Sequence, residues 1–369
     1  MSERDLAARF ARHIRAQGPM TVAAFMAVAL HDKEAGYYAR RQPLGAAGDF
    51  VTAPEVSQIF GEMLGLCCAD FWRGMGCPDP IILAELGPGR GTLMSDLLRA
   101  AAVVPGFREA VRLVLVEASP ILREEQRQRL AAFDPLWVSR FDEVPEGPLL
   151  LVANEFLDAL PIRQLVRGRT EWAERLVAVD GGDGLVFVDG PESPAVTLLI
   201  PPERRDAPPG AIVEICPAAA ALAEALGERL GRQPGAAWFV DYGYDHGPPG
   251  ATLAAVGRHR TAGVLDRPGT ADLSAHVDFT AFAAAARAAG SDIYGPATQR
   301  QFLLSLGAAE RYAALRQRAS PEQHATLESG YNRLIDPAEM GTLFKAMAMT
   351  SPGLPAPGGF SLEVEAMGG

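Results

Sequence analysis

Residues Ile81 to Leu98 read IILAELGPGRGTLMSDLL: an apolar β-prone run ending in an acid, a loop with glycine at alternate positions, then an amphipathic helix. A strand, glycine loop and helix in this order mark the first βα unit of a doubly wound α/β sheet and a loop that cradles a nucleotide-type ligand. Glycine suits the loop because the chain must leave the strand sharply, take up positive φ and bring backbone N–H groups against a ligand with no Cβ between. The spacing narrows the ligand. Gly87, Gly89 and Gly91 form G-x-G-x-G, whereas pyrophosphate-binding dinucleotide loops use G-x-G-x-x-G. Glu85, two residues before the first glycine, sets a carboxylate beside the loop that would repel a pyrophosphate but suits a cationic, amino-bearing ligand. S-adenosyl-L-methionine, a sulfonium with an ammonium group, fits. Pro88 and Thr92, within the loop and at the helix start, join Glu85 and the glycines as candidate cofactor residues.

Further acids stand at the ends of later strands. The β-prone run Val111 to Val116 (VRLVLV) ends in Glu117, where the second strand of such a sheet carries the acid that accepts the ribose hydroxyls. LLLVANEFLDALP (Leu149 to Pro161) is an apolar strand stopping at Asn154-Glu155, placed as the fourth strand at the switch-point crevice. Asn154 is a candidate cofactor contact. Glu155 and Asp158 are candidate catalytic carboxylates: methyl transfer needs alignment more than acid–base groups, and a carboxylate can hold an amine or guanidinium nucleophile by charge-assisted hydrogen bonds. The bland alternative is that Glu155 caps a turn and Asp158 is solvated. Asp241, in AAWFVDYGYDHG, ends a fifth apolar strand at the same edge and is the third catalytic candidate. Tyr242, Asp49 and His276 (in DLSAHVDF) are candidate substrate contacts, with packing, a plain surface connection and a structural hydrogen bond as their respective alternatives.

The chain has 369 residues, a net charge of −11, and 45 acidic against 34 basic side chains. That balance argues against nucleic acid, whose phosphates need clustered Lys and Arg, and suits a basic substrate. The four cysteines form no C-x-x-C, and the six histidines show no H-x-x-H or H-E-x-x-H, so neither a disulfide framework nor a metal site is expected. No G-x-S-x-G occurs. The polar N-terminus, with no apolar run near the ~18 residues of a span, leads to the expectation of a cytoplasmic protein without membrane insertion.

Helical periodicity from Leu6 to about Leu30, broken at Pro19 and restarted at Thr21, predicts two N-terminal helices. The Gly/Pro-rich stretch after them, ending in Gly48-Asp49-Phe50, reads as a loop of the kind that forms mobile lids. Short strands around a GGDG turn between 162 and 200 predict an antiparallel insertion. Residues 281 to 347 read as helical, with a short hairpin near Phe360. The expected organisation is a helical cap and lid loop over 1–75, a cofactor-binding half over 76–160, an inserted substrate region over 161–235, and the second half of the sheet with helical additions over 236–369.

Several stretches together resemble the MidA-like family of class I methyltransferases: GDFVTAPEVSQIFGEMLG (48 to 65), ELGPGRGTLMSDLLR (85 to 99), VEASPILREEQ (116 to 126), NEFLDALPIRQ (154 to 164), DYGYD (241 to 245), DLSAHVDF (272 to 279) and MGTLFKAM (340 to 347). The resemblance spans nearly the whole chain. It implies a seven-stranded, mostly parallel sheet with an N-terminal helical cap and an inserted antiparallel and helical substrate region. It also implies S-adenosyl-L-methionine held by Glu85, Gly87, Gly89 and Gly91, with Glu117 on the ribose. Mitochondrial members of the family are arginine methyltransferases that assist assembly of respiratory complex I, which implies a protein arginine, symmetrically dimethylated, as the acceptor. An assembly factor that binds cofactor but acts through partner binding, and a small-molecule methyltransferase, are the alternatives. One departure from the family pattern is Pro-Pro-Gly-Ala before Thr252-Leu253. Oligomeric state is not legible in the sequence.

Overall fold

Two runs, β1 (Ile81–Leu86) and β4 (Leu149–Asn154), are buried at every position, the mark of parallel strands covered on both faces. In this computed structural model, which describes residues 3–40, 52–245, 247, 250–257 and 260–360, they form the centre of a sheet. The other strands along its main path are β2 (Val111–Val116), β3 (Leu136–Val138), β5 (Gly235–Tyr244), β6 (Asp292–Thr298) and β7 (Phe344–Thr350). Their order is β6-β7-β5-β4-β1-β2-β3. Strands β1 to β5 run parallel, and β7 runs antiparallel to both β5 and β6. The order reverses between β1 and β4, which is where doubly wound sheets open a crevice for ligands. Register brings the strand ends level there: Leu86 lies opposite Val116 and Ala153, and Asn154 opposite Val240. The expected class I methyltransferase sheet is present.

Two of its strands fall inside 281 to 347 or run just past it, a stretch the sequence presents as helical. FKAMAMT lacks β-branched residues until its end, and DIYGPAT carries the glycine and proline that ordinarily argue against a strand; pairing with β5 overrides propensity for β7. Helices Phe279–Ala288, Gln299–Ser305, Ala308–Arg318 and Pro321–Ile335 supply the rest. Phe360 belongs to no strand and packs on Phe302 at 5.1 Å; residues 361–369 lie outside the described residues. Strand β5 also continues past Asp241 to Tyr244, because Tyr242 still pairs with Phe344 of β7.

Contacts divide the chain into two compact units. The sheet unit comprises Val51–Leu157, Leu222–Asp245 and Phe279–Gly369. Within it, α4 (Gln58–Gly74) lies on α5 (Thr92–Ala101), the helix after the glycine loop. Gly61 and Gly65 permit the approach: a Cβ on Gly65 would stand 2.4 Å from the Leu97 carbonyl oxygen, and one on Gly61 2.8 Å from Asp96 Cβ. Glu62, fully buried between them in sequence, receives Arg99 at 2.5 Å and Arg311 at 2.7 Å. Burial alone would raise its carboxyl; the Arg311 and Arg99 guanidiniums outweigh it and hold the group below its ordinary value.

The second unit comprises Met1–Phe50, Asp158–Ala221 and His246–Asp278. The predicted helices are α1 (Glu3–Gln17) and α2 (Val22–His31), with the Thr21 hydroxyl accepting from Ala24 N–H as the N-cap; such a cap contributes about 1 kcal/mol. Leu6, Phe10 and Ile14, at helical spacing, share a core with Phe25, Val177 and Leu273. The insertion is antiparallel as expected. Trp172–Val179 turns through GGDG, where Asp180 accepts from Gly182 and Gly184, into Leu185–Asp189, and Arg163–Arg167 pairs with both Trp172–Val179 and Ile212–Ile215.

Candidate cofactor and active site

The glycine loop adopts the geometry its composition demands. Gly87, Gly89 and Gly91 have φ of 61°, 52° and 76°, values that strain side-chain-bearing residues. Space is equally restrictive: a Cβ on Gly87 would meet the Phe156 ring at 2.9 Å, and one on Gly91 would meet Leu130 at 3.2 Å. The loop is anchored to the sheet by Gly87 N–H donating to the Val116 carbonyl.

Two buried carboxylates flank it. Glu85 is 3% exposed, and its Oε2 has no hydrogen-bond partner among the described residues. Burial, reinforced by the nearby negative charge of Glu117, pushes its carboxyl up to about 8. Glu117 is also raised by burial, partly offset by the Ser119 N–H (2.7 Å) and the Gln126 amide (3.3 Å) that its oxygens accept. An apolar pocket would not place two acids side by side without a compensating cation, since an unpaired buried charge is costly. At the end of β4, Asn154 Oδ1 is a second buried acceptor with no donor among the described residues. The cradle, the two acids and the orphaned acceptors suit a cationic ligand with an ammonium and a diol, as S-adenosyl-L-methionine has.

Glu155 has φ 49°, an uncommon value for a side-chain-bearing residue and the kind of strain that concentrates at functional strand ends. Its Oε1 accepts from Ala53 N–H at 2.9 Å and from the Asn154 amide at 3.2 Å. The contact tethers α3 (Ala53–Val56) to the end of β4. On the same short helix Glu55 accepts from the Thr92 hydroxyl and lies 3.5 Å from Arg90, whose Nε donates to Glu125 at 3.1 Å. Thr92 therefore fastens the loop to α3. Asp241 is 1% exposed; one oxygen accepts from Phe156 and Leu157 N–H at 3.1 and 2.9 Å, the other from Tyr242 N–H. Tyr242 packs edge-on against Phe344 at 5.5 Å.

The structure thus brings Glu85, Gly87, Pro88, Gly89, Gly91, Thr92, Glu117, Asn154, Glu155, Asp241 and Tyr242 into the sheet unit, the first nine along the loop or at strand ends and the last two within β5. Asp158 and His276 belong to the second unit. There Asp158 is buried and its carbonyl accepts from Ala275 N–H, while His276 N–H donates to the Thr252 hydroxyl at 2.9 Å. Thr252 and Leu253, where the sequence departs from the family pattern, bind the buried Glu214 through their N–H groups at 3.0 and 3.1 Å. Asp49 and the lid-type loop around it lie outside the described residues. Glu55, Gln126 and Phe156 are contacts that sequence reasoning missed; the acid of TAPE and the glutamine of REEQ stand in motifs but carry no spacing signal of their own.

A family described as S-adenosyl-L-methionine-dependent methyltransferase has a model that matches residues 63–297. The chain belongs to this methyltransferase family. The protein of Xenopus tropicalis named protein arginine methyltransferase NDUFAF7, mitochondrial, is 37% identical to it over 359 residues, which are 90% of this chain and 82% of the relative. The human protein of that name is 35% identical over 364 residues, 91% of this chain and 81% of the relative. A Burkholderia thailandensis structure bound to S-adenosyl-homocysteine superposes with a TM-score of 0.84 at 30% identity, covering 98% of this chain and 95% of that one. The methyltransferase uses S-adenosyl-L-methionine as its cofactor.

The expectation of a cytoplasmic protein is corrected by these relatives, which are named as mitochondrial. Its premise is the lack of an apolar leader, yet mitochondrial transit segments are amphipathic and basic rather than apolar, so hydropathy does not bear on the compartment. Among the described residues no helix is long and apolar enough to cross a membrane.

Gly87→Val is expected to weaken S-adenosyl-homocysteine binding by at least about 100-fold, because a β-branched residue is excluded from φ 61° and its Cβ displaces Phe156. Titration calorimetry on the folded variant reads this; affinity within threefold of wild type would show that the ligand does not use the loop.

Proposed function

We propose that this methyltransferase acts on an arginine side chain of a protein, and that the acceptor is a subunit of respiratory complex I dimethylated symmetrically. The relatives named protein arginine methyltransferase support the first part, and the resemblance to the complex I assembly family supports the second. The observation that carries the cofactor half of the site is the unpaired buried Glu85 beside a loop of three positive-φ glycines.

When bound, S-adenosyl-L-methionine would supply an electrophilic methyl whose bond to sulfur breaks as the acceptor nitrogen bonds to it in line, with the thioether S-adenosyl-homocysteine as the leaving group. The protein's part is placement and charge. Glu85 would hold the ammonium and Glu117 the ribose hydroxyls, and the glycines leave the loop backbone open to the ligand. Asn154 Oδ1 offers a further buried acceptor at the end of β4. Glu155 is the carboxylate assigned to the guanidinium: its strained backbone turns the side chain out of β4, and a carboxylate there holds the cation and accepts the proton released as the new C–N bond forms. Asp241 is assigned to positioning, since its Oδ2 accepts the Phe156 and Leu157 N–H groups that follow Glu155 and its Oδ1 accepts Tyr242 N–H. Asp158, Asp49, Tyr242 and His276 are given no part in the chemistry.

Glu155→Gln keeps an acceptor for Ala53 N–H but removes the charge. Methyl transfer to arginine-bearing protein should fall by about 10–100-fold, the worth of a hydrogen bond to a charged group, with S-adenosyl-homocysteine affinity unchanged within threefold. Mass spectrometry of methylated arginines reads the outcome, and undiminished methylation by the variant would remove Glu155 from the reaction.

A further inference from the structure

Helix α6 (Pro120–Arg129) carries one polar side chain that is wholly buried. Gln126 is 0% exposed. Its Oε1 accepts from Trp137 Nε1 at 2.9 Å, and its amide nitrogen donates both to the Gly89 carbonyl at 2.7 Å and to Glu117 Oε2 at 3.3 Å. An indole nitrogen can only donate, so Trp137 fixes which way the amide points and leaves its NH2 for the loop and the acid. The other Glu117 oxygen is fixed by Ser119 N–H, and the Glu117 carbonyl by Arg123 at 2.7 Å. A glutamine so placed touches both the glycine loop and the acid at the end of β2.

We propose that Gln126 is a positioning residue that sets selectivity for the ligand's ribose: it locks the Glu117 carboxylate and the Gly89 peptide in mutual register, so that the acid meets a cis-diol rather than a deoxyribose. This rests on the assignment of Glu117 to the ribose made above. Without Gln126 the carboxylate keeps one fixed oxygen and can rotate about it, and the Gly89 carbonyl and Trp137 Nε1 lose their partners. The loss therefore falls on the ribose contact and not only on the stability of the fold.

The test measures, by calorimetry on the full chain, affinity for S-adenosyl-homocysteine and for its 3′-deoxyribose analogue in wild type, Gln126→Met, Trp137→Phe, Glu117→Ala and the Gln126→Met/Glu117→Ala double variant. Wild type should prefer the ribose ligand by about 10–100-fold, the range for a hydrogen bond to a charged group. Gln126→Met should cut that preference about tenfold, with affinity for the deoxy analogue falling by a smaller factor than affinity for S-adenosyl-homocysteine. Trp137→Phe, which lets the amide turn over without removing it, should cut it by a smaller factor of about 3. The double variant should be no less selective than Glu117→Ala alone, as expected of residues acting as one unit. A wild-type preference retained in Gln126→Met while Glu117→Ala loses it would overturn the role of Gln126 alone, as would equal weakening of both ligands. Preference retained in Glu117→Ala would overturn the ribose assignment and this inference with it.

Discussion

Glu85→Gln is expected to stabilise the ligand-free protein and to abolish its usefulness. In the folded chain the carboxyl stands at about 8 against an ordinary 4.5, first because it is buried and then because Glu117 is near. A folded-state acid held above its unfolded value destabilises the fold once the pH exceeds the unfolded value, and the cost grows until the folded value is passed. Wild type and variant should therefore match below about pH 4.5, diverge between 4.5 and 8, and stay apart above it. At pH 7 the difference is on the order of 3 kcal/mol. The variant loses the charge that a cationic ligand needs, so its affinity for S-adenosyl-homocysteine should fall by about 100-fold. Denaturant melts at pH 4, 7 and 8.5 together with calorimetry check both arms. A variant less stable than wild type at pH 7 would mean that Glu85 has a cation or donor in the free protein.

Gly65→Val should prevent folding of the sheet unit. The Cβ alone would lie 2.4 Å from the Leu97 carbonyl oxygen and 2.8 Å from Leu97 Cα, both backbone atoms of α5, so no rotamer change relieves the contact. Overpacking usually costs about 1–3 kcal/mol; here two helices must move apart, opening the core around Leu64, Leu93 and Leu97, and a loss of about 4 kcal/mol or more is expected. That is much of a domain's total stability. The movement also displaces the N-terminus of α5, and with it Gly91. Circular dichroism of the purified variant decides the matter, and a native melting profile would show that α4 and α5 are not held at this spacing.

The sequence is most readable where a motif is local. IILAELGPGRG is at once a strand, its turn and its ligand cradle, and Glu85 and Gly87 through Gly91 stand where the motif puts them. VRLVLV-Glu and LLLVAN-Glu are equally legible, because a continuous apolar run ending in an acid is a buried parallel strand meeting a crevice. Contacts between distant segments are not. Nothing in the spacing ties Glu55 to Thr92 or Glu155 to Ala53, since these bonds join chain segments brought together only by the sheet. Gln126 looks like any polar residue on a charged helix until Trp137 is placed beside it. Asp241 reads in the sequence as a strand-end acid but lies inside β5, and its occupation by the Phe156 and Leu157 N–H groups depends on the positive φ at Glu155, which a glutamate does not advertise. Asp158, three residues from Glu155, enters the other unit because the chain leaves the sheet unit at Leu157.

A two-buffer calorimetric titration tests the cofactor site most directly: S-adenosyl-homocysteine is titrated into wild type and Glu85→Gln at pH 7, in buffers of different ionisation enthalpy. A carboxyl at about 8 is mostly protonated at pH 7, and pairing with the ligand's ammonium must ionise it. Wild type should therefore bind with release of close to one proton, and Glu85→Gln should bind far more weakly with none. Tight binding by wild type with no proton released, or the same release from Glu85→Gln, would contradict the placement of the ligand's cation at Glu85.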